Sequence, residues 1–251
     1  MLLREDDHGI LAIGQPSHAW LSGQLARAWG NDRFAMPTPW EEVCLAAEQH
    51  DAGWRTLDLE PTYNPDTQRP HTFLETPLDV HLRLWTEGPR SLVSQSRYAA
   101  LLVSLHGWRL YERRDLSRMA PEDSAAVRAF LEGQVAFQEE LEQTLPIDPD
   151  ALKRGSLLLW TWDYLSLALC LGWDSATAEG APAANGQVDI RVQTRGDSLA
   201  HLEPWPFAGE SLTVRAEGRR LSGGYANEAE MREAFAAAPW ETLTLRLEPR
   251  A

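Results

Sequence analysis

His50 and Asp51 are adjacent, so together they can offer an imidazole and a carboxylate to a single point. Those are the donors that Zn, Fe, Mn or Ni take from protein side chains. Alone the dipeptide says little, because this composition produces one by chance in roughly four chains of ten. Its context says more: it ends a helix-like run and is followed by Ala52-Gly53-Trp54-Arg55. Asp163 interrupts two apolar runs, 157–162 and 164–169. A carboxylate in a helix that is apolar nearly all round costs several kcal/mol unless it is paired or metal-bound. The ordinary partner would be a Trp N–H, a Tyr hydroxyl or an Arg. His106 lies on the helix face of Ala99, Leu102 and Val103, and His18 on that of Leu21 and Leu25. A single histidine on such a face is usually a satisfied core residue. Two of them, one His-Asp pair and one buried Asp, on four separate helices, form a candidate ligand set.

The elements that must position these residues can be read from local signals. Apolar pairs flank Asp6-Asp7-His8-Gly9 and predict an N-terminal hairpin over 1–14. Ser17 is placed to cap a helix from His18 to about Trp29. Thr38-Pro39-Trp40-Glu41 has the form of a capping box, opening a helix that reaches His50-Asp51 and that Gly53 would end. Residues 56–77 carry no sustained period and read as a long loop beside the site. Helices are expected over 98–111, 121–145 and from Asp148-Pro149 to Gly172. Residues 175–187 are mostly Ala, Gly, Pro, Ser and Asn and read as a linker. Strands follow over 188–194, 211–216 and 242–247, with a short helix at 228–237 before the last. These strands and the hairpin at the other end of the chain are expected to form one small β element.

The chain has 251 residues and a formal net charge of −14, from Asp+Glu 37 against Lys+Arg 23. That excess repels phosphate backbones and anionic lipid, which argues against nucleic-acid and membrane partners. Cys44 and Cys170 sit in apolar stretches and supply neither a disulfide framework nor a thiolate metal site. The first residues lack a basic segment followed by an apolar run, and 157–173 is marginal for a membrane span, so a cytoplasmic protein is expected. No Gly-x-Ser-x-Gly elbow or phosphate-binding glycine loop is present.

The order His18, His50-Asp51, Asp163, each on its own helix, resembles the HD-domain superfamily of metal-dependent phosphohydrolases. His50-Asp51-Ala52-Gly53-Trp54-Arg55 is similar to that family's His-Asp, small residue, Gly, basic residue run, with Trp54 inserted. The likeness covers about residues 15–173. It implies that His81 and His106 are further ligands, with His71 the rival of His81. Over nearly its full length the chain also resembles a bacterial family of unknown function, through Gln15-Pro16-Ser17-His18, residues 49–55, Ser104-Leu105-His106 and Pro204-Trp205-Pro206-Phe207.

The fold expected on these grounds is mainly α: an HD-like helical domain over 1–174, carrying the hairpin, and a small β-rich subdomain over 188–251 packed on it. The function implied is hydrolysis of a small phosphate ester or nucleotide, with no nucleic-acid or membrane partner. One or two divalent ions (Mn, Fe, Ni or Zn) would be held by His18, His50, Asp51, His81, His106 and Asp163. Asp51 would be the catalytic, bridging carboxylate. Arg55 and Arg109 are the expected substrate-binding cations, chosen from a set that includes Arg69, Arg113 and Arg114. Trp20, Trp54, Trp108 and Trp160 could stack on a base or sugar. The alternatives are a di-iron oxygenase and a non-catalytic ligand-binding module. The oligomeric state stays open.

Overall fold

Leu2–Asp6 (β1) and Gly9–Ile13 (β2) form an antiparallel hairpin with Asp6 opposite Gly9. The chain then enters helix α1, Gln15–Ala28. Ser17 does not cap it: it lies in the first turn, where its hydroxyl accepts the Glu217 N–H at 2.6 Å. The carboxylate of Asp58 instead takes the Gln15 N–H, and it also holds the Met1 amino group at 2.9 Å. Helix α2 spans Trp40–Gln49. Pro39 is its cap residue in extended backbone, so the helix starts one residue later than the capping box requires and Thr38 is out of reach. A single 3-10 turn at Ala52–Trp54 and the short helix α3, Arg55–Leu59, follow. The segment read as a loop holds a two-residue ribbon, Tyr63–Asn64 (β3) with Arg69–Pro70 (β4), and a 3-10 turn at Phe73–Glu75. Described residues run from 1 to 250 in this computed structural model.

Helix α4, Leu78–Leu92, has no counterpart in the sequence reading. Gly53 does not end a helix but lies against its backbone. A Cβ there would meet the Leu84 carbonyl oxygen at 2.6 Å, so only glycine lets the His50–Trp54 corner approach α4. Pro89 sits inside α4 and cannot donate to the Trp85 carbonyl one turn back. The buried Gln134 amide donates to that carbonyl at 3.3 Å. Gln134 comes from α6, Pro121–Glu142, and its other amide atom accepts from Ser104 of α5, Arg97–Glu112, at 2.7 Å. One buried amide thus joins three helices. Helix α7, Pro149–Leu171, begins at the side-chain cap Asp148 and stops at Gly172, whose φ of 67° is the left-handed conformation that glycine adopts freely.

The remaining strands are Ser175–Ala183 (β5), Gly186–Arg195 (β6), Leu199–Glu203 (β7), Leu212–Leu221 (β8) and Trp240–Pro249 (β9), with helix α8 at Glu228–Ala237. They join the hairpin in one sheet of seven strands, ordered β1-β2-β8-β9-β7-β6-β5. The β7–β9 pair is parallel and the others are antiparallel. Helix α1 packs on β8, and α7 packs on β5 and β1.

The expectation of a mainly α, HD-like bundle with a small β element is therefore wrong. The chain is 50% helix and 25% strand, and a curled, half-barrel mixed sheet dominates it. The misreading has a local cause. The small residues of 175–183 are strand β5, not a linker; Ala178 and Ala181 are buried where α7 crosses, and small side chains are what let a helix come that close. Strand β7 is five residues long, too short to announce itself.

Gln134→Leu should lower the melting temperature by about 3–10 °C, because it strands the Trp85 carbonyl and the Ser104 hydroxyl. The loss should shrink in a Pro89→Ala background, where an N–H at position 89 can serve Trp85. Equal losses in both backgrounds, read by thermal unfolding, would show that Gln134 does not stand in for the missing donor.

Candidate metal centre

Helices α1, α2 and α7 pack against one another, α5 packs on α2 and α7, and α4 packs on α5 and on the 52–54 turn. Together they bring six residues of the candidate set to a common cavity of about 280 Å³. His18 comes from α1, His50 and Asp51 from the end of α2, His81 from α4, His106 from α5 and Asp163 from α7. His18, His50, Asp51 and His106 are buried, and the Asp163 side chain is 15% exposed.

Ligand atoms of His18, His50 and Asp163 lie within 4.8 Å of one another, an arrangement that could hold a metal ion. His50 Nε2 is 3.3 Å from Asp163 Oδ1 and 3.6 Å from Asp51 Oδ2, and His18 Nε2 is 3.9 Å from Asp163 Oδ1. His50 Nε2 has no hydrogen-bond partner despite that proximity. Donors bound to one ion at 2.0–2.2 Å stand roughly 3.0–3.6 Å apart, so the His50 distances suit a shared ion better than direct hydrogen bonds.

The outer partners fix which nitrogen is available. His50 Nδ1 donates to the Ala47 carbonyl at 2.8 Å, which leaves the lone pair on Nε2. His18 Nδ1 lies 2.8 Å from Ser166 Oγ, and Ser166 spends its own proton on the Asp163 carbonyl, also at 2.8 Å. The serine oxygen therefore accepts from His18 Nδ1–H. His18 Nε2 lies 2.6 Å from Asp51 Oδ2, a direct hydrogen-bond distance, so an ion shared by these two groups would have to part them.

Charge in the ligand set follows the same logic. Burial pushes the Asp163 carboxyl up, but His106 and His50 beside it prevail and hold it well below the usual carboxylate range. Burial pulls His50 down, while Asp51 and Asp163 outweigh it and raise the imidazole to about 9. The two shifts set a positive His50 ring against the Asp163 carboxylate, so buried negative charge here is balanced by a neighbouring cation. Five buried polar atoms without partners belong to residues around the cavity: Gln15 Oε1, His50 Nε2, Asp51 Oδ1, Trp54 Nε1 and His106 Nδ1. Buried polar groups are nearly always satisfied, so this clustering points to a ligand.

The other expected residues divide. His106 Nε2 lies 3.4 Å from the second carboxylate oxygen, Asp163 Oδ2, with its ring centre 5.3 Å from that of His50. His81 lines the cavity, but both its nitrogens are engaged: Nδ1 with Tyr111 Oη, and Nε2 with the Trp85 indole N–H at 3.4 Å. His71 is elsewhere, its Nδ1 on Thr62 Oγ1 at 3.0 Å. Arg55 is exposed and does not line the cavity. Arg109 lies over the Trp160 ring at 4.7 Å and lines a separate groove between α5 and α7. The cation that does line the cavity is Arg114. Trp54 lines it as well, but Trp20, Trp108 and Trp160 do not. Trp85, Tyr111 and Ser166 were missed altogether. Ser166 carried a faint signal, sharing a helix face with Asp163 three residues earlier. Trp85 carried none, since its contact depends on Gly107, where a Cβ would meet the Trp85 ring at 2.8 Å.

The cluster and the mixed sheet define a mixed α/β protein with a His/Asp site buried under its helices. The chain belongs to the family "Protein of unknown function (DUF3891)", whose model matches residues 1–223. No curated protein and no solved structure matches it. Among the described residues, no helix is long and apolar enough to cross a membrane.

Burial pulls His81 down to about 4, with Arg114 adding to the effect and Asp51 opposing it. Above pH 6.5 the ring is neutral in both folded and unfolded chains and contributes nothing to the pH dependence of stability. Below that, the unfolded chain binds a proton that the folded one refuses, so stability falls with pH until about 4. His81→Asn should flatten the melting-temperature profile of the native protein between those values. Superimposable profiles would show that His81 charges freely in the fold.

Proposed function

We propose that this protein is a metal-dependent phosphohydrolase acting on a small phosphate ester or nucleotide. The observation that carries the reading is the grouping of His18, His50 and Asp163, whose ligand atoms lie within 4.8 Å of one another, with the His50 Nδ1 bond to Ala47 turning its Nε2 toward Asp163. The likeness of the ligand order to HD-type hydrolases supports the choice of reaction, although the fold around it differs. His18, His50, Asp51 and Asp163 would hold one ion, drawn from Mn, Fe, Ni and Zn. Bound there, such an ion lowers the pKa of a coordinated water toward neutrality and polarises a phosphoryl oxygen. Asp51 Oδ2 faces the histidines, which leaves the buried, unpartnered Oδ1 to accept a hydrogen from the attacking water and orient it. His106 keeps the Asp163 carboxylate in place from its other oxygen. The engagement of His81 with Tyr111 and Trp85 favours one ion over two.

Phe73, Leu74 and Thr76 of the segment before α4 also line the cavity, and the largely exposed Leu74 marks the side from which a substrate would enter. The volume suits a phosphoryl group with a compact leaving group; a larger alcohol would extend past Leu74 into solvent.

Protein purified without a histidine tag should contain about one transition-metal ion per chain, and His50→Ala and Asp163→Asn should lose it. The metallated protein should release phosphate or alcohol from at least one member of a panel of phosphomonoesters, phosphodiesters and nucleotides. Asp51→Asn should lower that turnover by about 100-fold or more. A fully metallated wild type that is inert across the panel would overturn the hydrolase reading.

A further inference from the structure

Trp85, His81, Tyr111 and Arg114 also line the cavity, with the Trp85 ring 5.3 Å from that of His106. Proton counting along this set gives a definite answer. Trp85 Nε1–H donates to His81 Nε2, so the neutral ring's single proton sits on Nδ1. Nδ1–H therefore donates to Tyr111 Oη, and the hydroxyl acts as acceptor in that bond. Its own proton is left over, and no protein acceptor for it is present among the described residues. Burial pushes the Tyr111 phenol up to about 12, so the group keeps that proton at any working pH. Arg114 stacks over the Tyr111 ring, its guanidinium carbon 4.2 Å from the ring centre. A spare hydroxyl donor and a cation thus stand together in the lining of the cavity that also holds the candidate metal-ligand donors. The rest of the lining near them is apolar: Phe73, Leu78 and Leu110.

Resting on the phosphohydrolase reading, we propose that Tyr111 and Arg114 form an oxyanion subsite that binds the non-bridging oxygens of the substrate's phosphoryl group, with His81 as the positioning residue that aims the Tyr111 hydroxyl. A tetrahedral oxyanion suits the pair because it presents one oxygen to the phenol while another meets the planar guanidinium fork. His81 is then no metal ligand, and its place on the wall is explained by the hydroxyl it orients. The Trp85–His81 contact sets the ring tautomer, as the Ala47 carbonyl does for His50.

The test is calorimetric titration of the metal-loaded protein with inorganic phosphate, with metal content measured on every variant. Wild type should bind phosphate. Tyr111→Phe, which keeps the ring, should weaken binding about tenfold or more, and Tyr111→Phe with Arg114→Gln should weaken it further. His81→Leu should resemble Tyr111→Phe with its metal content unaltered, whereas His81→Asn, which retains a donor near the Nδ1 position, should recover much of the affinity. Acetate should bind more weakly than phosphate, being planar and carrying two oxygens fewer. Phosphate binding indifferent to Tyr111→Phe, or loss of the ion in both His81 variants, would overturn the subsite. The two readings fail separately. Tyr111-dependent phosphate binding by a protein inert on every ester keeps the subsite and removes the hydrolase; hydrolysis with Tyr111-indifferent binding does the reverse.

Discussion

A carboxylate placed in mid helix among leucines and tryptophans is the constraint on which the rest of this structure depends. Asp163 cannot remain charged in α7 without compensation, since the desolvation of an isolated ion exceeds what a marginally stable fold can tolerate. The compensation is spread over three helices. His50 reaches one carboxylate oxygen, His106 the other, and His18 stands behind the first. This requirement brings α1, α2, α5 and α7 together at one level, and the cavity is the space their ligand atoms leave between them.

The polar groups behind the ligands matter as much as the ligands. Ser166 holds His18 while tying itself to the backbone of the residue that supplies the carboxylate. Ser22, one turn after His18, donates to the same hydroxyl at 2.8 Å, so α1 and α7 are registered to each other by the groups that set the histidine tautomer. On the other side, Gln134 repairs the backbone gap that Pro89 opens in α4 and fixes the helix that carries His81 and Trp85. A fold that places buried hydrogen bonds in this way makes the cavity rigid, and rigidity is what a site needs if it is to hold donors at ligand spacing before any ligand arrives.

The cysteines show the opposite case, chemistry that the fold suppresses. Cys44 and Cys170 are both fully buried, and burial raises their thiols to about 11 and about 12. Neither can be a thiolate nucleophile or a soft metal ligand at neutral pH. Their apolar surroundings give the same answer from sequence as from structure, because a small residue in a helix core needs no long-range partner to explain it.

Much of the site was legible in the chain because its donors announce themselves locally. A charged residue inside α7, histidines at helical spacing from leucines, and an adjacent His-Asp pair are each visible within a dozen residues, and the structure brings all of them to one cavity. The boundaries of α7 were similarly local, set by Asp148 and Gly172. What the sequence could not determine was everything decided by approach from afar. Arg55 and Arg109 had the right chemistry and the wrong location, while Arg114 gained its role only because α5 ends beside α4. Helix α4 was hidden by Gly88-Pro89, whose disruption is repaired by a glutamine 45 residues later. Strand β5 was hidden by its alanines, which look like a linker until α7 is laid across them. The architecture itself turned on pairing between β2 and β8, about 200 residues apart. Periodicity and capping are properties of neighbours in sequence, and they carry no record of which distant backbone will complete a sheet or which distant side chain will satisfy a buried carbonyl.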